Sequence, residues 1–259
     1  KYKVTVDTVA PVISKPTLDF EMVASSGWFN KNSGTISGSV TDATSKVSNV
    51  LYLVTNERYY PDSDNNGSHT KLSTVAFDNA LSLSENNFSK KHTFAEGLNY
   101  IYIKAIDNAG NVSYYGANGD VTCQIDTTVP KVEFVKPANG EMISKKSDFS
   151  FIVNLSDENS GFADGAKATV KLAETSYSQD ITISENKISG TVGTSYLNQI
   201  TSNTTKLSVT VKDKAGNETV SNLELAIDNE APTVKIANPA ASVVNGKIEI
   251  NGTASDNVG

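Results

Sequence analysis

Three aspartates recur along this chain in fixed surroundings, and together they have the chemistry to hold a cation. The first lies in Val6-Asp7-Thr8-Val9-Ala10-Pro11, Ile125-Asp126-Thr127-Thr128-Val129-Pro130 and Ile227-Asp228-Asn229-Glu230-Ala231-Pro232. Each phrase is an apolar residue, Asp, three residues and Pro. The second opens Asp42-Ala43-Thr44-Ser45-Lys46 and Asp157-Glu158-Asn159-Ser160-Gly161, and returns as Asp256 in Asp256-Asn257-Val258-Gly259. The third opens Asp107-Asn108-Ala109-Gly110-Asn111 and Asp213-Lys214-Ala215-Gly216-Asn217. Carboxylates brought close together repel unless a shared proton or a cation neutralises them. Ca2+ suits such a set, because it is hard, takes six to eight oxygens and accepts carboxylate, amide and backbone ligands together. Asn108 and nearby loop carbonyls could complete the shell. The same residues have a second reading. Asp before Ala-Gly-Asn is what a tight turn uses, with the side chain bonding the backbone two residues on and Gly supplying positive φ. Asp ahead of a linker Pro is also ordinary turn chemistry. At the level of sequence both readings stand.

Other candidates are weaker. Asp62-Ser63-Asp64-Asn65-Asn66-Gly67 resembles the opening of a calcium loop, with Asp62, Asp64 and Asn66 as ligands. Ser73 stands where a closing bidentate Glu is needed, so the expectation is a solvated hairpin tip. Tyr59, Tyr60 and Tyr115 could form a platform for a glycan or a host protein. Neighbouring residues on a strand face opposite sides, so each of the pairs Trp28-Phe29, Tyr59-Tyr60 and Tyr114-Tyr115 should give one ring to the core. His69 and His92 have no nucleophile elbow and no metal-ligand spacing. Cys123 is the one cysteine, which excludes an intrachain disulfide, and the alternation Val121–Ile125 turns it inward as a small hydrophobe. Carboxylates repeated at equivalent places are unlike a catalytic constellation. No catalytic residue is expected, and the chain reads as a non-enzyme.

The elements that position these residues follow from the repeat. The linker aspartates recur at intervals of about 100 residues, the length of one immunoglobulin-type sandwich. Period-two alternation predicts strands over 35–40, 47–54, 91–94, 98–106 and 121–125 in the first repeat. In the second it predicts strands over 149–155, 168–172, 180–183, 187–192, 206–211 and 222–227. Residues 76–83 and 196–200 could each form a helical turn. The fold class is therefore all-β: tandem immunoglobulin-like antiparallel sandwiches, head to tail. Residues 1–6 read as the last strand of a preceding domain, 7–125 as repeat one with an insertion near 55–74, 126–227 as repeat two, and 228–259 as the start of a third. In a seven-stranded sandwich the start of the first strand shares a pole with the B–C and F–G loops. Asp7, Asp42 and Asp107 should meet at one pole, Asp126, Asp157 and Asp213 at the next, and Asp228 with Asp256 begin a third. The insertion follows strand C and should lie at the pole facing repeat two.

These phrases resemble the tandem immunoglobulin-like repeats of bacterial surface and secreted proteins. The marks are the Asp-Thr-x-x-Pro linkers, Gly27-Trp28-Phe29-Asn30 ahead of strand B, and Asp157–Gly161 after it. Glu96-Gly97-Leu98-Asn99 leads into strand F and Asp107–Asn111 closes it. Ser45-Lys46 departs from the usual Ser-Gly. The resemblance implies an extracellular stalk or spacer, with neighbouring domains of the same longer chain as partners. An adhesive module binding a glycan or host protein through repeat-one loops, or an accessory region of a secreted hydrolase, are the alternatives. A formal net charge of −7 provides no basic footprint for nucleic acid. No run of residues is long and apolar enough to span a membrane.

Overall fold

The computed structural model describes residues 4–20, 26–228, 230–237, 246 and 250–256. The chain forms two compact units: residues 1–131 with 156–164 and 212–218, and residues 132–155, 165–211 and 219–259. The expected strand over 1–6 lies partly outside the described residues, and 4–6 form none.

The first sandwich contains β1 (Val12–Ile13), β2 (Thr17–Asp19), β3 (Trp28–Phe29), β4 (Ser33–Thr41), β5 (Val47–Thr55), β6 (Asn79–Ala80), β7 (Leu83–Ser84), β8 (Asn87–Thr93), β9 (Gly97–Asp107), β10 (Val112–Tyr115) and β11 (Thr122–Ile125). One sheet runs β1-β4-β8-β7, with β2 also on β4. The other runs β3-β11-β9-β5-β6, with β10 also on β9. Strands β10 and β11 are two halves of one edge. β10 pairs with residues 103–106 of β9 and β11 with residues 97–100. Between them the chain loops out through Gly116, whose φ of 98° suits glycine and where a Cβ would meet the Ile101 carbonyl oxygen at 2.3 Å.

Alternation fills the core. Ile36 and Val40 of β4, Val50 and Tyr52 of β5, and Ile101, Ile103 and Ala105 of β9 turn inward with Cys123 and Ile125. Cys123 is buried, as the alternation predicts, and desolvation pushes its thiol up to about 12. Phe29 and Tyr115 each pack on this core as one ring of their pairs.

Strand β9 is buried on its outer face too. Leu72, Phe77 and Tyr102 form a second apolar cluster there, flanked by Leu51, Leu53, Tyr59, Tyr100 and Tyr114. The insertion between β5 and β6 builds it by folding back over the sheet. The Tyr102 hydroxyl accepts the Tyr59 N–H at 2.7 Å and donates to the Glu57 carbonyl at 3.2 Å. The expected solvated hairpin tip is the exposed run around Asp62–Ser68; the chain on either side of it is packed because it supplies apolar residues. Residues 76–83 make no helical turn. They form β6 and β7, since pairing with β5 and β8 satisfies their backbone. A single 3-10 turn at Leu72–Thr74 precedes them.

The second sandwich contains β12 (Lys131–Lys136), β13 (Met142–Ser144), β14 (Phe149–Ser156), β15 (Lys167–Leu172), β16 (Ser178–Thr182), β17 (Lys187–Val192), β18 (Thr204–Lys212) and β19 (Glu218–Asp228). Its sheets run β12-β14-β17 and β13-β19-β18-β15-β16. This is the order of the first sandwich, down to a short strand pairing in parallel with the last one: β3 on β11, β13 on β19. One helical turn, α1 (Thr194–Leu197), sits slightly before the predicted 196–200 and buries Leu197. Gly190 of β17 lies under the ring of Phe151, its cross-strand partner. Beyond this, β20 (Thr233–Ile236) pairs with β21 (Gly252–Ser255). Among the described residues no helix is long and apolar enough to cross a membrane.

Candidate metal centres

The residues of the repeated phrases meet in space. One carboxylate oxygen from each of Asp7, Asp42 and Asp107 lies within 4.8 Å of the other two, and the same holds for Asp126, Asp157 and Asp213. The second set lies wholly within the first compact unit. A linker residue supplies the first Asp, the end of β4 or β14 the second, and the end of β9 or β18 the third. Two oxygens bound to one Ca2+ at 2.3–2.6 Å stand no more than about 5 Å apart, so these spacings fit a shared calcium ion.

Each loop that presents a carboxylate is built the same way in both sets. The Asp107 N–H donates to the Asn111 carbonyl at 3.1 Å, and the Asp213 N–H to the Asn217 carbonyl at 3.1 Å. Asp107 Oδ1 accepts the N–H groups of Ala109 and Asn111, and Asp213 Oδ1 those of Gly216 and Asn217. Gly110 and Gly216 both have φ 93°, which closes the turn. In the B–C loops, Asp42 Oδ1 accepts the N–H groups of Thr44, Ser45 and Lys46, and Asp157 Oδ1 those of Asn159 and Gly161. Lys46 adopts φ 69° where Gly161 has 64°. The departure from Ser-Gly therefore leaves the loop geometry intact, with a side chain in a region glycine prefers.

Sequence reasoning missed the residues that fasten the linker. Asn111 Nδ2 donates to Asp107 Oδ2 at 2.7 Å and to the Asp7 carbonyl at 3.2 Å. Asn217 Nδ2 donates to Asp213 Oδ2 at 2.8 Å and to the Asp126 carbonyl at 2.9 Å. The N–H of Ser45 reaches Asp7 Oδ2 at 3.0 Å, and that of Ser160 reaches Asp126 Oδ2 at 2.9 Å. Glu96 adds a clamp on the second linker, accepting the Thr127 N–H at 3.1 Å, the Thr127 hydroxyl and the Asn159 amide at 3.4 Å. Asn111, Asn217 and the two serines recur in the phrases, so repetition was the signal that could have found them. Asn108, a candidate ligand through its Oδ1, gives its amide N–H groups to the Ser45 and Lys46 carbonyls.

The second set is the more enclosed. Asp126 is 0% exposed and Asp213 7%. Asp157 Oδ2 is buried and has no hydrogen-bond partner among the described residues. Burial raises the Asp213 carboxyl above the usual carboxylate range and the charge of Asp126 adds to this, against opposing hydrogen bonds from Asn217 and Gly216. Burial pushes Asp126 up as well, but donors from Ser160 and Thr128 outweigh it and hold the carboxyl below the usual range. Asp107 follows Asp126: its burial is outweighed by Asn111, Ala109 and Gly110. A cavity of about 120 Å³, lined by Thr128, Val129, Lys131, Ser156, Asp157 and Glu158, opens beside the set.

The remaining candidates are placed differently. Asp228 ends β19 and accepts the Glu230 N–H at 3.1 Å, while Asp256 follows β21 and is exposed; residues 257–259 lie outside the described residues. Asp62 accepts the Ser73 hydroxyl at 2.5 Å, and Asp64 accepts the Asn66 N–H at 2.9 Å and contacts His69 at 2.5 Å. Their oxygens thus serve the loop itself. Tyr59 belongs to the outer cluster, Tyr115 packs on the sandwich core, and Tyr60 stacks on His69 at 3.7 Å, so the three do not share one face.

No protein-family model matches the chain, and no curated protein matches it. Among solved structures it is similar to part of a 1.5-MDa bacterial ice-binding adhesin, at 14% identity over 89% of this chain and 70% of that one, with a TM-score of 0.40. It is also similar to the fibronectin(III)-like modules of Clostridium thermocellum CbhA, at 14% identity over 85% and 94%, with a TM-score of 0.31. A Ca2+-stabilized adhesin of an Antarctic bacterium matches at 14% identity over 87% and 52%, with a TM-score of 0.32. None of these likenesses bears on what this chain binds.

Proposed function

We propose that this chain is a non-catalytic spacer segment of an extracellular surface or secreted protein, in which calcium ions bound at the aspartate sets stiffen the linkers. Asp126, Asp157 and Asp213 are the primary site and Asp7, Asp42 and Asp107 the second. Asp228 and Asp256 would begin a third. The repeats span 7–125 and 126–227 in this reading, with the start of another after 228.

The observation that carries the reading is the unpartnered, buried Oδ2 of Asp157 beside two further carboxylates. A turn-forming aspartate needs only its Oδ1 for the loop, as the bonds to Asn159 and Gly161 illustrate. Leaving the other oxygen buried without a donor costs about 1–3 kcal/mol, and nearby negative charge adds to that. A divalent cation removes both penalties at once. Because the linker Asp would share the ion with two loops, the bound state restricts how the linker can bend.

The test is thermal unfolding of the chain in chelator and in about 10 mM calcium. Extracellular calcium modules bind with dissociation constants of about 10⁻⁴–10⁻³ M. One such site would then add about 1.4–2.7 kcal/mol. A melting temperature raised by calcium and little affected by equal magnesium supports the reading; identical curves with and without calcium overturn it.

A further inference from the structure

The exposed tip of the insertion holds a group set for reaction with its own backbone. Asn66 Oδ1 accepts the Ser68 N–H at 3.1 Å and the Ser68 hydroxyl at 2.6 Å. These bonds fold the amide back over its own chain and draw electrons from its carbonyl. Asn66 Nδ2 lies 3.1 Å from Nε2 of His69, whose Nδ1 lies 2.5 Å from Asp64 Oδ2. A carboxylate only accepts, so Nδ1 carries its proton toward Asp64 and Nε2 of the neutral ring faces the amide as an acceptor. Tyr60 stacks on the imidazole, Arg58 lies over Tyr60, and Lys71 is the other charge near Asp64. The residue after Asn66 is glycine. Nothing lies within 4 Å of where its Cβ would be, and among the described residues no acceptor meets its N–H.

The geometry points to Asn66–Gly67 as a self-modification site, at which the Gly67 nitrogen attacks the Asn66 side-chain amide and His69 carries the proton. The bond from Gly67 N to Asn66 Cγ forms and the Cγ–Nδ2 bond breaks. The proton leaving Gly67 N passes through the imidazole to the departing nitrogen, which is released as ammonia. One water then opens the succinimide at either carbonyl and gives aspartate or isoaspartate at position 66. No oxidant or cofactor enters. The product places a further carboxylate next to Asp62 and Asp64.

Two other Asn-Gly pairs, Asn118-Gly119 and Asn139-Gly140, lack these features. The Gly119 N–H is held by the Gly116 carbonyl at 3.0 Å and the Gly140 N–H by the Glu224 carbonyl at 2.8 Å. Asn139 Oδ1 is occupied by the Glu224 N–H. Asn118 and Asn139 therefore serve as controls within the same molecule.

The experiment is a timed incubation of the chain at neutral pH and 37 °C, followed by peptide mapping and isoaspartate labelling. The expected result is the mass change of an NH2-to-OH exchange at Asn66, largely as isoaspartate, at least about tenfold faster than at Asn118 or Asn139. His69→Gln should slow position 66 by about tenfold, less than the hundredfold typical of enclosed general acid–base groups because the loop is exposed. It should leave the controls unchanged, and added imidazole should speed the variant more than the parent chain. Equal rates at the three asparagines, or a His69→Gln rate equal to that of the parent, would overturn the assignment.

Discussion

Asp157→Asn separates calcium binding from turn formation. The substitution keeps Oδ1, which accepts the N–H groups of Asn159 and Gly161, and so preserves the loop. It replaces the unpartnered Oδ2 with an NH2 that can donate to the carboxylates of Asp126 and Asp213, whose oxygens stand within 4.8 Å. Supplying the missing bond is worth about 1–3 kcal/mol. At an effective dielectric near 20, two charges at that separation repel by about 3 kcal/mol, which water and salt reduce substantially. A net gain of about 2 kcal/mol is expected in chelator. At about 4–8 °C per kcal/mol for a sandwich of this size, the melting transition should rise by about 8–16 °C. The variant should also lose the calcium-dependent gain of its own set while keeping that of Asp7, Asp42 and Asp107. Differential scanning calorimetry in chelator and in calcium reads both effects. A lower melting temperature in chelator, or an undiminished response to calcium, would refute the reasoning.

Four further predictions concern the scaffold. Gly190→Ala places a Cβ 2.6 Å from the ring of the fully buried Phe151, so chemical denaturation should show a loss of about 1–3 kcal/mol. Tyr102→Phe leaves the Tyr59 N–H and Glu57 carbonyl without their shared partner, and should cost about 1–3 kcal/mol, again by denaturation. Burial raises the Tyr102 phenol from 10.0 to about 12; the folded state binds the extra proton between these values, so stability should fall as pH rises through that window, and Tyr102→Phe should flatten the fall. Cys123, with its thiol pushed up to about 12, should resist a thiol reagent in the native chain and react at once in denaturant.

The long strands were legible because each turns one face to a core: β4, β5 and β14 to β19 alternate over enough residues to show their period. Two-residue strands such as β1, β3 and β6 carry no period, and their pairing is decided by the neighbouring strand. β10 was hidden because its edge is split by the loop at Gly116. Nothing local to Tyr100 and Tyr102 announces that a distant insertion will cover the outer face of β9. The aspartate sets were legible through repetition, with topology supplying their convergence. The roles of Asn111 and Asn217 were not: each reaches a linker carbonyl about a hundred positions away, and that distance leaves no mark in the local sequence.

Isothermal titration of calcium into the chelated chain, alongside the Asp42→Asn, Asp157→Asn double variant, tests the central claim most directly. The account predicts saturable binding at two or more sites with dissociation constants near 10⁻⁴–10⁻³ M, and loss of two of them in the variant. A parent chain that takes up no calcium at millimolar concentrations, or a variant that binds as the parent does, would contradict it.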